Sequence, residues 1–222
     1  FILIVSVILH GLALVKTHGE ATDDPSRFVK DFEKFAQLDK DNPPPSKNLT
    51  LFTGSSTIRR WKTLSRDFPK IPLLNRGFGG SQFPQLHYHF EQLFPRYKPM
   101  TIVLYCGEND LWNGKSAKDV LADFNSLLRR IRKALPETNL IYLSCKPSPK
   151  RMSKWAIYQD LNEKIQTFCE KDPLLTFVDL SGIFLAPDGK PDAGIWDKDR
   201  LHVNQAGYAR LTKLLSPLLS AK

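Results

Sequence analysis

Residues 101–110 read TIVLYCGEND, and this stretch decides the fold class. Its first six residues form an apolar run rich in β-branched and aromatic side chains, and Gly107 ends the run. A short apolar run bounded by a turn residue is typical of a strand buried on both faces of a parallel sheet. Residues 117–135 then carry apolar side chains at helical spacing behind Ser116, a common helix N-cap residue. The stretch therefore predicts a strand followed by a helix.

The same unit recurs on either side of this stretch. The predicted strands are residues 48–53, 71–75, 101–106, 140–144 and 176–180, and the predicted helices are residues 55–65, 82–94, 117–135, 154–171 and 205–219. Alternating helices and near-continuous apolar strands predict a parallel sheet covered by helices on both faces. We therefore expect an α/β fold, a three-layer doubly wound sandwich with a five-stranded parallel sheet.

The composition fits one globular core of this kind. The chain has 222 residues with 41% hydrophobic and 25% charged content, which excludes disordered, collagen-like and disulfide-scaffold proteins. Cys106, Cys145 and Cys169 lack the CxxC spacing of a zinc site, so we expect them to be buried free thiols. The formal net charge of +9 favours contact with acidic surfaces without identifying one.

The first 15 residues, FILIVSVILHGLALV, carry no formal charge. Residues 1–19 are therefore predicted to be a signal peptide or a membrane anchor, with an ordinary buried helix as the third alternative. We accordingly expect the protein to be exported, to the periplasm or outside the cell, and to associate with a membrane if this segment is retained.

Residues 20–47 are predicted to form an amphipathic helix and a Pro-rich linker. Phe28, Phe32 and Phe35 recur at helical spacing, and the sequence NPPP stops the helix. The remaining residues, 48–222, form the main predicted domain.

Chemically useful side chains follow four of the predicted elements. They lie in the segments Gly54-Ser55-Ser56, Gly77-Phe78-Gly79-Gly80, Gly107-Glu108-Asn109-Asp110 and Asp199-Arg200-Leu201-His202. In parallel sheets of this type, ligands bind beyond the carboxyl ends of the strands. A hydroxyl group, backbone and amide donors, and a carboxylate with a histidine are the groups that acyl transfer requires.

The stretches FTGSSTIRRW, NRGFGGSQ, GEND and DRLHVNQAGY resemble the four signature blocks of the SGNH hydrolases, also called GDSL-type esterases and lipases. The resemblance covers nearly all of the chain after the predicted linker and implies the flavodoxin-like SGNH hydrolase fold. It also implies that Ser56 is the nucleophile and that Asp199 and His202 complete a catalytic triad. The implied oxyanion hole consists of the Ser56 and Gly80 N–H groups and the Asn109 side-chain amide.

The sequence departs from the family pattern at the nucleophile turn, where the usual Gly-Asp-Ser reads Gly54-Ser55-Ser56. Ser55 is therefore a second candidate nucleophile. Asp197 competes with Asp199 for the place beside the histidine, and Gly79 is the alternative donor in the glycine run.

Neither a metal nor a cofactor is expected. His87 and His89 lie two residues apart on a predicted helix and so point to different faces. Gln82 stands where the dinucleotide-binding glycine pattern needs its third glycine, so a nucleotide cofactor is not expected. No nucleic-acid partner is expected either. Lys146 and Arg151 lie in the loop after the fourth strand, at the predicted active-site edge, and are candidates for binding an anionic group of the substrate.

The sequence thus predicts a serine esterase or acylhydrolase that cleaves a small-molecule, lipid or glycan ester through a covalent acyl-enzyme. Short acyl chains are favoured because the connections are too short for a lid domain, the longest being residues 181–204. Two alternatives share the fold, an O-acetyl-glycan esterase and a thioesterase. A third alternative is a non-catalytic module that binds glycans or membranes.

Overall fold

Five parallel strands form the sheet of the computed structural model, which describes residues 24–220. The strands are β1 (Thr50–Gly54), β2 (Leu73–Gly77), β3 (Thr101–Tyr105), β4 (Asn139–Leu143) and β5 (Leu175–Val178). Their order, β2-β1-β3-β4-β5, confirms the predicted doubly wound parallel sheet. The signal peptide or anchor predicted at residues 1–19 lies outside the described residues.

Helices cover both faces of this sheet. The α-helices of the described residues are α1 (Val29–Asp41), α2 (Ser56–Arg59), α3 (Leu64–Asp67), α4 (Phe83–Tyr88), α5 (Phe90–Leu93), α6 (Glu108–Trp112), α7 (Ala117–Ala134), α8 (Trp155–Cys169), α9 (Ser181–Phe184) and α10 (Gln205–Ser220). The 3-10 helices Pro25–Phe28, Pro149–Lys154 and Ala193–Ile195 lie in connections. Within residues 24–220, no helix has the length and apolar character needed to span a membrane.

Two hydrophobic cores, one on each face, make the fold a three-layer sandwich. Successive strand residues point to opposite faces, so Leu104 packs in the same core as Phe124 of α7. Its neighbour Val103 packs in the other core with Leu211 of α10. All three cysteines are buried free thiols, as predicted.

The register of the sheet brings three strand ends to the same level. Gly54 at the end of β1 pairs with Gly77 of β2 on one side and with Tyr105 of β3 on the other. The residues that follow these three strands therefore leave the sheet at one edge. This edge carries the predicted site.

Four helical segments differ from the sequence prediction. The predicted helix at residues 55–65 is two short helices, α2 and α3, separated by a turn that contains Trp61. The one predicted at residues 82–94 breaks at His89 into α4 and α5. Apolar residues three apart fit a broken helix as well as a continuous one, so their spacing does not reveal the break. Helices α6 and α9 were not predicted because five and four residues are too few to show a period.

The predicted amphipathic helix before β1 is present as α1, and it packs on the sheet through its apolar face. Phe32 is buried and stacks on His89 with the ring centroids 3.7 Å apart. At the other end of the helix, buried Asp39 pairs with Arg76 of β2 and accepts a 2.8 Å hydrogen bond from the Tyr97 hydroxyl. Both contacts attach α1 to the same core that contains α4 and α7.

Candidate active site

The turn between β1 and α2 presents Ser56 at the edge of the sheet. Gly54 has a φ of +107°, and a Cβ at this position would lie 2.1 Å from the Tyr105 carbonyl oxygen, so only glycine fits there. Ser55 is extended and donates its N–H to the same carbonyl at 2.8 Å, which attaches the turn to β3. Ser56 is the first residue of α2, and it is half-buried.

A chain of hydrogen bonds joins Ser56, His202 and Asp199. The Ser56 Oγ lies 2.9 Å from the His202 Nε2, and the His202 Nδ1 lies 2.6 Å from the Asp199 Oδ2. The other Asp199 oxygen accepts the N–H groups of Leu201 and His202, each at 3.0 Å. Because an ionised carboxylate only accepts, the His202 Nδ1 carries the proton and the Nε2 is free to accept from the Ser56 hydroxyl.

The surroundings set the charge states that general-base chemistry requires. Burial acts to raise the pKa of Asp199, but the hydrogen bonds from His202 and Leu201 outweigh burial and hold that pKa well below its usual range. Burial lowers the pKa of His202, opposed by Asp199 and helped by the positive charges of Arg60 and Lys146. At neutral pH the imidazole is therefore neutral and able to take a proton.

Of the two candidate carboxylates, Asp199 is the one that contacts the imidazole. Asp197 instead lies 3.4 Å from the Arg60 Nη1, and the same nitrogen lies 3.4 Å from Asp199. Sequence reasoning assigned no function to Arg60, although its position four residues after Ser56 places it on the same short helical segment.

Two backbone N–H groups are available at the predicted oxyanion hole. The Ser56 N–H is the first of a helix and so has no acceptor within that helix. Gly80 has a φ of +86°, and its N–H has no acceptor among residues 24–220. A guanidinium packs against each of the two glycines: a Cβ at Gly79 would lie 2.4 Å from the Arg59 Nε, and a Cβ at Gly80 would lie 2.8 Å from the Arg27 Nη2. This packing does not choose between them, and Gly79 stays the alternative donor.

The Asn109 amide lies at the same edge but is already hydrogen-bonded. Its Nδ2 donates to the Ser81 carbonyl at 3.0 Å and to the Ser55 Oγ at 2.6 Å. Ser55 is buried and contacts Asn109, whereas Ser56 contacts His202. The two serines therefore have different partners, and one N–H of the Asn109 amide is taken up by the Ser55 hydroxyl.

Lys146 lies in the loop after β4, but it is not placed to bind an anionic group of the substrate, contrary to what the sequence suggested. Its side chain is buried, and its Nζ lies 2.6 Å from the Glu108 Oε2 and 3.1 Å from the Tyr105 hydroxyl. Arg151 reaches the other Glu108 oxygen at 2.9 Å. Both cations therefore pair with Glu108. The Lys146 side chain is buried and does not reach a surface where a substrate anion could bind. Sequence reasoning missed this use of Glu108, although the residue stands in the GEND block.

The histidines excluded as metal ligands have separate partners. His87 contacts the Asp123 carbonyl oxygen at 3.1 Å, and His89 contacts the Gln92 side chain at 2.7 Å. They face different elements of the structure.

A cavity of about 540 Å³, called the lateral cavity here, is lined in part by residues that flank Asp199 in the chain. Its wall is mostly apolar and includes Pro149, Met152, Pro191, Trp196, Asp197 and Arg200. The last three belong to the segment that carries Asp199 and His202. The volume falls within the usual range for a small-molecule site, about 300 to 1,000 Å³.

The model of the GDSL-like lipase/acylhydrolase family matches residues 48–210. The chain belongs to this family. Family membership makes the protein an ester-bond hydrolase and agrees with the resemblance seen in the four sequence blocks. A comparison with curated proteins gives no significant match.

Solved structures share the fold of this family member. A protein of Streptococcus pneumonia, provisionally named a platelet activating factor, is 22% identical with a TM-score of 0.75, covering 86% of this chain and 92% of its own. A GDSL-like lipase from Bacteroides thetaiotaomicron is 20% identical with a TM-score of 0.71, covering 90% and 98%. A family 3 carbohydrate esterase from Clostridium thermocellum is 17% identical with a TM-score of 0.61, covering 78% and 97%. At these identities the likeness concerns the fold.

Proposed function

We propose that this family member is a serine esterase that hydrolyses carboxylic esters through a Ser56 acyl-enzyme. The observation that carries the proposal is the uninterrupted hydrogen-bond chain from Ser56 Oγ through His202 to Asp199. A serine hydroxyl is a weak nucleophile until an adjacent base removes its proton, and His202 lies at the distance this transfer needs.

In the proposed reaction, the Ser56 Oγ attacks the ester carbonyl carbon while the His202 Nε2 takes the hydroxyl proton. Asp199 stabilises the imidazolium that forms. The carbonyl oxygen becomes an oxyanion, which accepts N–H groups from Ser56, Gly80 and Asn109. The oxyanion displaces the Ser55 hydroxyl from the Asn109 amide because a charged acceptor binds a donor more strongly than a neutral one. His202 then protonates the leaving alcohol, and water repeats the sequence to release the acid.

The lateral cavity suits the alcohol part of the ester. The leaving oxygen receives its proton from His202, so the alcohol must lie on the His202 side, where Trp196, Asp197 and Arg200 line the cavity. The connections between strands and helices, the longest being residues 181–204, are too short to form a lid domain around a long acyl chain. We therefore propose a preference for acetyl and other short acyl groups joined to a larger alcohol, a description that includes O-acetylated glycans.

Labelling with a fluorophosphonate probe tests the nucleophile. The probe should react with the wild-type protein, peptide mapping should locate the adduct on Ser56, and Ser56→Ala should abolish it. Ser55→Ala is the matched control and should still be labelled, since Ser55 contacts Asn109 and not the base. A label on Ser55 overturns the assignment, and no label at all favours a non-catalytic module.

A panel of esters tests the substrate class. For one chromogenic alcohol, acetyl and butyryl esters should exceed palmitoyl esters in kcat/KM. For a fixed acetyl group, enlarging the alcohol should raise kcat/KM in the wild-type protein and less in a Trp196→Ala variant. Faster turnover of palmitoyl esters, or of acetyl thioesters over acetyl esters, contradicts this part of the proposal.

A further inference from the structure

The contacts around Asn109 permit only one orientation of its side-chain amide. The Arg151 Nη1 donates to the Asn109 Oδ1 at 3.0 Å, while the Nδ2 donates to the Ser81 carbonyl and the Ser55 hydroxyl. In a flipped amide, the NH₂ group would face the guanidinium and the oxygen would face the Ser81 carbonyl. Two donors would then oppose each other, as would two acceptors. The nitrogen is therefore held on the side of the Ser55–Ser56 turn.

Arg151 is itself fixed from three directions. The same Nη1 donates to the Glu108 Oε1 at 2.9 Å, and the guanidinium lies over the Trp112 ring, 5.0 Å from its centroid. Glu108 is held in turn by Lys146 at 2.6 Å and by the Tyr105 hydroxyl. Few rotamers of Arg151 satisfy all of these partners, so the arginine is a rigid donor to the amide.

The charges of this cluster also favour a stable arrangement. Burial acts to raise the pKa of Glu108, but the positive charges of Lys146 and Arg151 outweigh it and lower that pKa. Glu108 is thus an ionised carboxylate between two cations. A buried carboxylate with a full set of donors keeps its neighbours in place because losing any one of them is costly.

We propose that Arg151 is a positioning residue for the reaction, which fixes the Asn109 amide so that its N–H is aimed at the developing oxyanion. The inference rests on the proposed function, in which Asn109 donates to that oxyanion. It replaces the expectation that Arg151 binds an anionic group of the substrate. A guanidinium suits this task because one planar group bonds Glu108 and Asn109 and also stacks on Trp112.

A double-mutant cycle tests the proposal on the full chain with an acetyl ester as substrate. Arg151→Met keeps the apolar stem against Trp112 but removes the donor, so kcat should fall with KM changed less than about threefold. The expected loss is between about 10- and 100-fold, because a misplacement of about 1 Å can cost on the order of 100-fold. In an Asn109→Ala background, Arg151→Met should produce almost no further loss, since the amide it positions is gone.

Two further variants separate positioning from folding. Arg151→Lys keeps the charge and at least one donor, so it should recover part of the kcat lost in Arg151→Met. Arg130→Met is the matched control, because Arg130 also stacks on an aromatic ring and donates to a carbonyl, but its partners, Phe90 and His87, do not belong to this cluster. It should leave kcat and KM unchanged. If Arg151→Met unfolds, Arg151→Gln and Arg151→Lys can complete the cycle.

The outcomes are distinct. Additive losses from Arg151→Met and Asn109→Ala, or a raised KM with wild-type kcat in Arg151→Met, mean that Arg151 acts on the substrate directly and overturn the inference. A wild-type kcat in Asn109→Ala overturns the inference together with the oxyanion assignment of the proposed function. A damaged Asn109→Ala with an undamaged Arg151→Met overturns the inference alone.

Discussion

The two sides of the candidate site are built differently. On the base side, the side chains of His202, Asp199 and Arg60 are 13%, 34% and 39% exposed. On the oxyanion side, the side chains of Lys146 and Glu108 are only 2% and 3% exposed and are bonded to each other. A base must exchange protons with water, so partial exposure serves it. An amide that receives a new charge must already be oriented, and a buried ion cluster supplies that orientation.

The largest expected effect lies on the base side. His202→Ala removes the group that activates Ser56, so kcat should fall on the order of 10⁴- to 10⁶-fold. Steady-state hydrolysis of an acetyl ester measures the loss, and circular dichroism checks that the protein is folded. If more than a few per cent of the activity survives, His202 is not the general base of the reaction.

On the oxyanion side, Asn109→Ala should lower kcat about 100- to 1,000-fold, with KM changed only modestly, because this donor acts mainly on charge that appears in the transition state. Asn109→Asp should be at least as damaging despite its similar shape, since a carboxylate only accepts and repels the oxyanion. Kinetics of both variants, with their thermal unfolding, provide the measurement. Loss of activity through unfolding alone would make Asn109 a turn residue.

The ion pairs of the two sides should differ in stability. Lys146→Met removes one partner of a buried carboxylate and should lower the free energy of unfolding by about 3 kcal/mol, the lower end of the usual range because Arg151 and Tyr105 still bind Glu108. Arg60→Gln removes a partly exposed pair and should cost no more than about 1 kcal/mol. Urea unfolding at pH 7 compares the two variants. If both variants lose the same free energy of unfolding, the ion pairs of the two sides do not differ in stability.

Asp110, which follows Asn109 in the chain, should make the free energy of unfolding depend on pH. Its carboxyl is buried and accepts the Phe83 N–H at 3.0 Å, and burial raises its pKa from 3.8 to about 7. The folded state therefore holds the proton more tightly than the unfolded state. The stability this group contributes is full below about pH 4 and is lost as pH rises through 7, about 2 kcal/mol of it between pH 5 and pH 7.

Asp110→Asn mimics the protonated acid and should remove this part of the pH dependence. Urea unfolding at several pH values measures it, and Asp160→Asn, at an exposed position of α8, controls for the loss of one carboxylate. If the two variants have the same pH profile of stability, burial of Asp110 is not responsible.

The smallest expected effect is on the base side and concerns the pH dependence of kcat/KM. Because the pKa of His202 is lowered, the acid limb of the pH profile, where kcat/KM falls toward low pH, should lie below 6.5, the ordinary pKa of histidine. Arg60→Gln removes a positive charge, so the limb should move to higher pH, by less than about one pH unit because Arg60 is partly exposed and screened by salt. The shift should shrink in 1 M salt. A limb that does not move means that Arg60 has no influence on the imidazole.

Local patterns in the sequence were sufficient to predict the strands of the sheet and the residues at its edge. Short apolar runs that end at turn residues and the helical spacing of apolar side chains are properties of consecutive residues, so the five strands and their order along the chain followed from the sequence. The ends of those strands also marked Ser56, Asn109 and His202 as neighbours. Their catalytic functions remain predictions until the variants above are measured.

The sequence by itself determined the fold class, the segments that meet at the carboxyl edge and the residue types available there. Only the tertiary structure decided that Asp199 rather than Asp197 faces His202, that Ser55 holds the Asn109 amide, and that Lys146 is buried against Glu108. Glu108 and Lys146 are 38 positions apart in the chain, and no periodic pattern relates them. A hydrogen bond depends on a separation of about 3 Å in space and on the direction of both groups, and distant segments acquire these only when the two cores pack.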